Sequence, residues 1–175
     1  MVVGKLLPRI GLLSDSHGRA ATTRRAVQLL LEQGAEVLLH LGDVGSVEVI
    51  DELAPTPDHP VDSHLVFGNT DWDIQSLAQY AATLDVRNNH PVGVITLDDG
   101  GELVFTHGDR PDAIDEALAR KVRYLCHGHT HRATDTRRGP TRVINPGALF
   151  RARSYTVAVL DTQRDALSFH AVDGL

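Results

Sequence analysis

The residues best suited to chemistry in this chain are carboxylates, imidazoles and one amide gathered in five short segments. They are Ser14-Asp15-Ser16-His17, Gly42-Asp43, Gly68-Asn69-Thr70-Asp71, Thr106-His107 and Gly128-His129-Thr130-His131. Mixed nitrogen and oxygen donors of this kind suit borderline divalent metals, and a metal so held can activate water. Each segment alone is weak, because an isolated Asp-x-His or Gly-Asp often marks a turn or a capped helix start. Their shared position is the stronger signal: each follows directly on a short apolar run. In open α/β sheets ligands bind beyond the carboxyl ends of strands, so five such ends gather Asp15, His17, Asp43, Asn69, His107, His129 and His131 around one crevice. Residues i and i+2 of an extended chain face the same way, so Asp15 is expected to project with His17, and His129 with His131. The neighbouring Gly42, Gly68, Gly108 and Gly128 permit tight turns in a crowded site.

The elements that must position these groups follow from periodicity. Arg9 to Leu13, Val37 to Leu41 and Ser63 to Phe67 are apolar runs separated by helical patterns at Ala20 to Gln33 and Val47 to Leu53, which predicts β-α-β-α-β with parallel strands. Ala54-Pro-Thr-Pro-Asp-His-Pro60 is a loop, its prolines disfavouring helix or central strand. In the second half, Val92 to Leu97 and Glu102 to Thr106 flank the turn Asp98-Asp-Gly-Gly101, the pattern of an antiparallel hairpin. A helix is expected over Pro111 to Arg120, and strands at Val122 to Cys126, Arg142 to Asn145, Tyr155 to Leu160 and Ala166 to Val172. The predicted fold class is α/β with mixed sheets, two of them packed face to face.

The 175 residues, 42% hydrophobic and 23% charged, fit one globular domain spanning 1–175. The stretch from Met1 to Arg9 is too short in apolar residues for a secretory signal, and no later run approaches the roughly 18 residues of a membrane span. The expectation is a cytoplasmic protein that does not enter a membrane. A single cysteine, Cys126, excludes an internal disulfide and a four-cysteine zinc site. The formal charge of -6 argues against extended nucleic acid and for a small substrate, and leaves a homo-oligomer open. Locally, Arg132, Arg137, Arg138, Arg142, Arg151 and Arg153 form a basic stretch, readable as a solvated hairpin or as positive charge beside an anionic substrate.

Taken in order, Asp-x-His, Gly-Asp, Gly-Asn-x-Asp, His and Gly-His-x-His resemble the motif set of the calcineurin-like metallophosphoesterases. The resemblance runs from Asp15 to His131, and Ile144-Asn-Pro-Gly147 is similar to a turn of that family's small bacterial and archaeal phosphodiesterase branch, which shares its fold with the small subunit of the retromer sorting complex. It implies a four-layer αββα fold of two packed mixed sheets flanked by helices. It also implies two metal ions, one bound by Asp15, His17 and His131, the other by Asn69, His107 and His129, with Asp43 shared. Manganese is favoured because family members commonly use it, while iron, zinc, cobalt or nickel suit the same donors.

The activity so implied is hydrolysis of phosphodiesters by a hydroxide shared between ions about 3.5 to 4 Å apart, with no role for Ser14 or Ser16 as nucleophile. Small or aryl diesters are the expected substrates, the aryl preference following from Thr70, which cannot protonate a leaving group. A phosphomonoesterase with the same ions, or a non-enzymatic interaction scaffold, is the alternative. The sequence departs from the family at Thr70, where many larger relatives carry a histidine that protonates the leaving group, at Asp109, where the small branch often has His, and at Ala148, where Ser is usual. Asp109 is read as an orienter of His107, a substitute acid, or a surface turn. His40 is either a support for the ligands or a plain strand residue, His127 is the less favoured neighbour of His129, and Asp71 is expected to support the Asn69 loop. His59, His64, His90 and His170 have no ligand spacing.

Overall fold

The computed structural model describes residues 8–173. Met1–Leu7, most of the stretch read as lacking a secretory signal, lies outside the described residues, as do Gly174 and Leu175. In chain order the elements are β1 (Arg9–Leu13), α1 (Ala20–Glu32), β2 (Val37–Leu41), α2 (Val47–Asp51), β3 (Asp62–Val66), α3 (Ile74–Thr83), β4 (Arg87–Asn88), β5 (Val92–Thr96), β6 (Glu102–Thr106), α4 (Pro111–Ala119), β7 (Tyr124–Cys126), β8 (Ala133–Arg138), β9 (Thr141–Pro146), β10 (Thr156–Asp161) and β11 (Ala166–Ala171).

The apolar runs of β1, β2 and β3 pair in parallel, as strands buried on both faces do. They belong to a sheet of order β11-β10-β1-β2-β3-β4, in which β10 and β11 run antiparallel. The second sheet has order β5-β6-β7-β9-β8, with β6, β7 and β9 parallel and both edges antiparallel.

Alternation along each strand divides the core. Ile10, Leu12, Leu39, Leu41 and Val66 meet Leu103, Phe105, Tyr124, Cys126 and Ile144 between the sheets. Leu13, Leu38 and Leu65 cluster instead with Ala26, Val27 and Leu30 of α1, Val49 and Ile50 of α2, and Ala81 of α3. On the far face of the second sheet, Val104, Leu125 and Val143 pack with Ala117 of α4. The order is helices, sheet, sheet, helix, the four-layer fold that the resemblance implied. Among the described residues no helix is long and apolar enough to cross a membrane.

Three elements differ from the sequence reading. Helix α3 was not anticipated, although Ile74, Leu77, Ala78 and Ala81 recur at helical spacing and the Asp73 carboxylate caps it by accepting from the Ser76 amide at 3.1 Å. β4 is only two residues long. β8 is exposed at every residue and has no apolar alternation; it is an edge strand held by the hairpin to β9. That hairpin uses two of the basic stretch's arginines in ion pairs: Arg142 with Asp135 at 2.7 Å and Asp165 at 2.9 Å, and Arg137 with Asp165 at 2.8 Å.

Phe105 lies at the centre of the inter-sheet layer, and its ring fills the space above Gly93, where any Cβ would collide with it. Phe105→Ala is expected to cost about 3 to 5 kcal/mol in urea unfolding, while Val94→Ala, on an exposed position of β5, stays within about 0.5 kcal/mol. Equal losses at the two positions would contradict this division of the core.

Candidate metal centre

All seven candidate ligands lie just past the carboxyl ends of strands: Asp15 and His17 after β1, Asp43 after β2, Asn69 after β3, His107 after β6, and His129 and His131 after β7. The first three ends belong to one sheet and the last two to the other, so the crevice opens at one edge of the inter-sheet core. Adjacent ends are stitched by backbone bonds. Asp15 N donates to Gly42 O at 3.0 Å, His17 N to Asp43 O at 2.9 Å, and Gly128 N to His107 O at 2.9 Å.

The backbone does not present these side chains by extended alternation, as the i and i+2 argument supposed. Asp15 (φ 56°), His17 (φ 44°), Asp43 (φ 52°), His129 (φ 68°) and His131 (φ 58°) all adopt the left-handed conformation. For residues other than glycine this is uncommon and costs on the order of 1 to 3 kcal/mol each, and it clusters at functional sites. Each pair therefore projects inward because successive tight turns aim it there. Gly68 and Gly128 allow the close approach: a Cβ on Gly68 would collide with the Asp43 carboxylate, and one on Gly128 with Ser14 Oγ.

The side chains meet in two groups. Asp15, His17 and His131 form one, and Asp15, Asp43 and His107 the other, with the potential donor atoms of each lying within 4.8 Å of one another. His131 Nε2 is 3.2 Å from Asp15 Oδ1. Asp43 Oδ2 is 3.4 Å from His17 Nε2 and 3.3 Å from His107 Nε2, and so touches both groups. Asn69 Oδ1 is 3.2 Å from His107 Nε2, and the His129 ring centroid is 5.0 Å from that of His107. Asn69 and His129 lie at the exposed side of the crevice, whereas Asp15, Asp43 and His107 are buried.

The residues fit a divalent cation. Asp15 Oδ1 and His17 Nε2 are buried and have no hydrogen-bond partner, an unfavourable state that an ion would relieve. His107 donates Nδ1–H to the carbonyl of Leu41 at 2.8 Å, which leaves Nε2 as the ligand atom facing Asp43. Burial opposes charge on His107, but the hydrogen bond and charge of Asp43 outweigh it and raise its pKa. Burial likewise opposes ionisation of Asp43, yet hydrogen bonds from His107 and the Thr70 amide hold its carboxyl well below the usual range. On His17 burial dominates over Asp43 and Asp15 and lowers the pKa, favouring the neutral imidazole that a metal needs.

Several supports surround this cluster. Asp71, as expected, holds the Asn69 loop, accepting from the amides of Val44 at 3.1 Å, Gly45 at 2.8 Å and Gly68 at 2.9 Å. Asp15 Oδ2 accepts from Ser14 Oγ at 2.6 Å and the His129 amide at 3.1 Å. Asn145 of the Asn-Pro-Gly turn donates to Gly128 O at 2.9 Å and Thr130 Oγ1 at 3.0 Å. His40 is a support, not a plain strand residue: its Nδ1 accepts from the Gly42 amide at 3.3 Å and its Nε2–H donates to Ser16 Oγ at 2.8 Å. His127 bonds Gly128 O through Nδ1 at 3.0 Å and belongs to neither donor group. His107 is oriented by Leu41, and Asp109 makes no hydrogen bond to it. Phe150 was not anticipated; its ring lies 5.1 Å from that of His17, a contact between residues too far apart in the chain for any spacing rule to detect. A groove of about 720 Å³ beside Pro55, Pro60, Val61, Asp62 and Arg87 lies at the opposite end of β3 and holds neither donor group.

With this geometry in view, the family is plain. The profile of the calcineurin-like phosphoesterase superfamily domain matches residues 9–165, and the chain belongs to that superfamily. Among individual proteins, phosphodiesterase MJ0936 of Methanocaldococcus jannaschii is 24% identical over 159 residues, covering 89% of this chain and 94% of the relative. The solved structure of an archaeal phosphodiesterase superposes with a TM-score of 0.82 at 22% identity, over 94% of this chain and 99% of the other. Vps29 of Entamoeba histolytica complexed with zinc gives a TM-score of 0.60 at 17% identity, over 95% and 99% of the two chains. At these identities the solved structures establish the fold.

His40 makes the centre sensitive to acid. Complete burial, reinforced by the nearby His107 charge, lowers its pKa from 6.5 to about 3, so the folded protein holds it neutral where the unfolded chain is protonated. The stabilisation is fully present above pH 6.5 and is lost as pH falls toward 3. Between pH 7 and pH 5, metal-free wild type is expected to lose about 2 kcal/mol more than His40→Gln in urea unfolding. Parallel pH profiles for the two proteins would contradict this role.

Proposed function

We propose that this chain is a phosphodiesterase that hydrolyses small or aryl phosphodiesters with two divalent ions, as one domain over residues 1–175 acting in the cytoplasm. In this reading Asp15, His17 and His131 hold one ion, Asn69, His107 and His129 hold the other, and Asp43 is shared. The observation that carries it is the pair of buried atoms without a hydrogen bond, Asp15 Oδ1 and His17 Nε2, within a converging set of imidazoles and carboxylates. The name of the Methanocaldococcus relative supports phosphodiesters over monoesters. Manganese is the favoured ion, with iron, zinc, cobalt and nickel suited to the same donors.

The ions, when bound, supply the acidity that activates water and the positive charge that offsets the phosphoryl oxygens. The protein holds the donors in place, and Ser14, Ser16 and Cys126 are poor rival nucleophiles. Ser14 Oγ is bonded to Asp15, Ser16 Oγ to His40, and burial pushes the Cys126 thiol up to about 12. Thr70 contributes its amide to Asp43 at 3.0 Å, and its hydroxyl is too weak an acid to protonate a departing alkoxide. Good leaving groups are favoured for that reason. A scaffold would need the fold but not an inward-facing set of buried donors. The formal charge of -6 supports a small substrate over extended nucleic acid.

Purified protein with manganese is expected to hydrolyse bis(p-nitrophenyl) phosphate faster than p-nitrophenyl phosphate. Asn69→Ala and His129→Ala should each lose on the order of 100-fold or more; unchanged activity in both variants would remove the site assignment. Between aryl and alkyl esters of the same phosphate, the missing acid should show as a rate ratio of roughly 100-fold or more in favour of aryl. Equal rates on the two esters would mean that another group protonates the leaving oxygen.

A further inference from the structure

We propose that Arg19 and Arg151, stacked on Phe150 beside the metal centre, form an anion-binding rim that selects phosphodiesters carrying a second phosphate group. The proposal rests on the phosphodiesterase reading and names the substrate class it favours. The guanidinium carbon of Arg19 lies 4.7 Å from the Phe150 ring centroid, and that of Arg151 lies 5.1 Å from it. The same ring is 5.1 Å from the His17 ring. Two cations therefore share one aromatic support next to a candidate ligand.

Arg9, Arg24, Arg87, Arg123, Arg137 and Arg142 are each paired with a carboxylate. Among the described residues, the guanidinium groups of Arg19 and Arg151 have no such partner, and both residues are exposed. Among the described residues Arg110, Arg132, Arg138 and Arg153 are also exposed and without a carboxylate partner, so what distinguishes Arg19 and Arg151 is the Phe150 ring they share beside the centre. A guanidinium held over a ring by its charge still has N–H donors to offer an anion. Phosphate, with several oxygens and more than one charge, matches two such donor edges better than a neutral group does. In a chain of formal charge -6, two guanidinium groups without a carboxylate partner lie over one ring beside the centre.

The rim is also fixed relative to the centre. Arg19 follows His17 by two residues, and its amide donates to Ser16 O at 2.9 Å. On the other side, Leu149 N donates to Ser14 O at 3.2 Å, and Arg151 O lies 3.4 Å from His131 Nδ1. Of the basic stretch, Arg137 and Arg142 are occupied in the β8–β9 hairpin, whereas Arg151 is carried to the crevice.

The test compares the p-nitrophenyl ester of thymidine 5′-phosphate with the same ester bearing an added 3′-phosphate, both of which release p-nitrophenolate. Wild type with manganese should favour the 3′-phosphorylated ester by roughly 10-fold or more in kcat/KM. The double variant Arg19→Gln, Arg151→Gln should bring that ratio close to one, while Arg164→Gln, at the opposite end of the sheet, retains it. No preference in wild type, or a preference that survives the double variant, would overturn the rim. If wild type turns over neither ester, the phosphodiesterase reading fails and calorimetric binding of thymidine 3′,5′-bisphosphate decides the rim separately. Roughly 10-fold weaker binding by the double variant supports it, and equal binding overturns it.

Discussion

The Asp15 and Asp43 carboxylates sit buried together at the edge of an apolar two-sheet core, and burying charge is unfavourable unless donors and positive charge meet it. Much of the surrounding structure answers that requirement. Ser14, the His129 amide and the Thr70 amide supply hydrogen bonds, and His17, His107 and His131 bring imidazole nitrogens to the remaining carboxylate oxygens. Asp15 Oδ1 and His17 Nε2 still make no hydrogen bond, and a cation bound beside them would complete the set. The centre is thus a pocket of electrostatic need inside an otherwise ordinary core.

Meeting that need costs backbone energy. Five of the seven candidate ligands adopt left-handed φ angles, each unfavourable for a residue with a side chain. The strain persists because the layers behind it are well determined. Phe105, Tyr124 and Ile144 pack against Leu12, Leu39 and Leu41, and the strand ends they fix leave the ligand turns little room to relax. Asp71 and Asn145 complete the arrangement by tying neighbouring turns to one another.

The parallel strands β1, β2 and β3 were legible in the sequence because burial on both faces leaves continuous apolar runs. The candidate ligands were legible because they follow those runs directly. Their convergence beyond the strand ends is as read, but the reason given for each pair projecting together was not correct: φ is invisible in residue type, and Asp15 and His17 meet through turns instead of extended alternation. Helix α3 was overlooked because its apolar face is short and only partly buried, and β8 because an exposed edge strand carries no hydrophobic period. Of the Arg19, Phe150 and Arg151 cluster only Arg151 was legible, as part of the basic stretch readable as a solvated hairpin or as positive charge beside an anionic substrate. Arg19 reaches the others only through the packing of β1 against the turn after β9, a tertiary fact with no local signature.

In the proposed reading this crevice is a two-ion centre sharing Asp43. Anomalous X-ray diffraction from crystals grown with manganese tests it most directly. Two anomalous peaks per chain are expected, one beside Asp15, His17 and His131, the other beside Asn69, His107 and His129, with the Asp43 carboxylate in contact with both. A single peak, or peaks away from these residues, would contradict it.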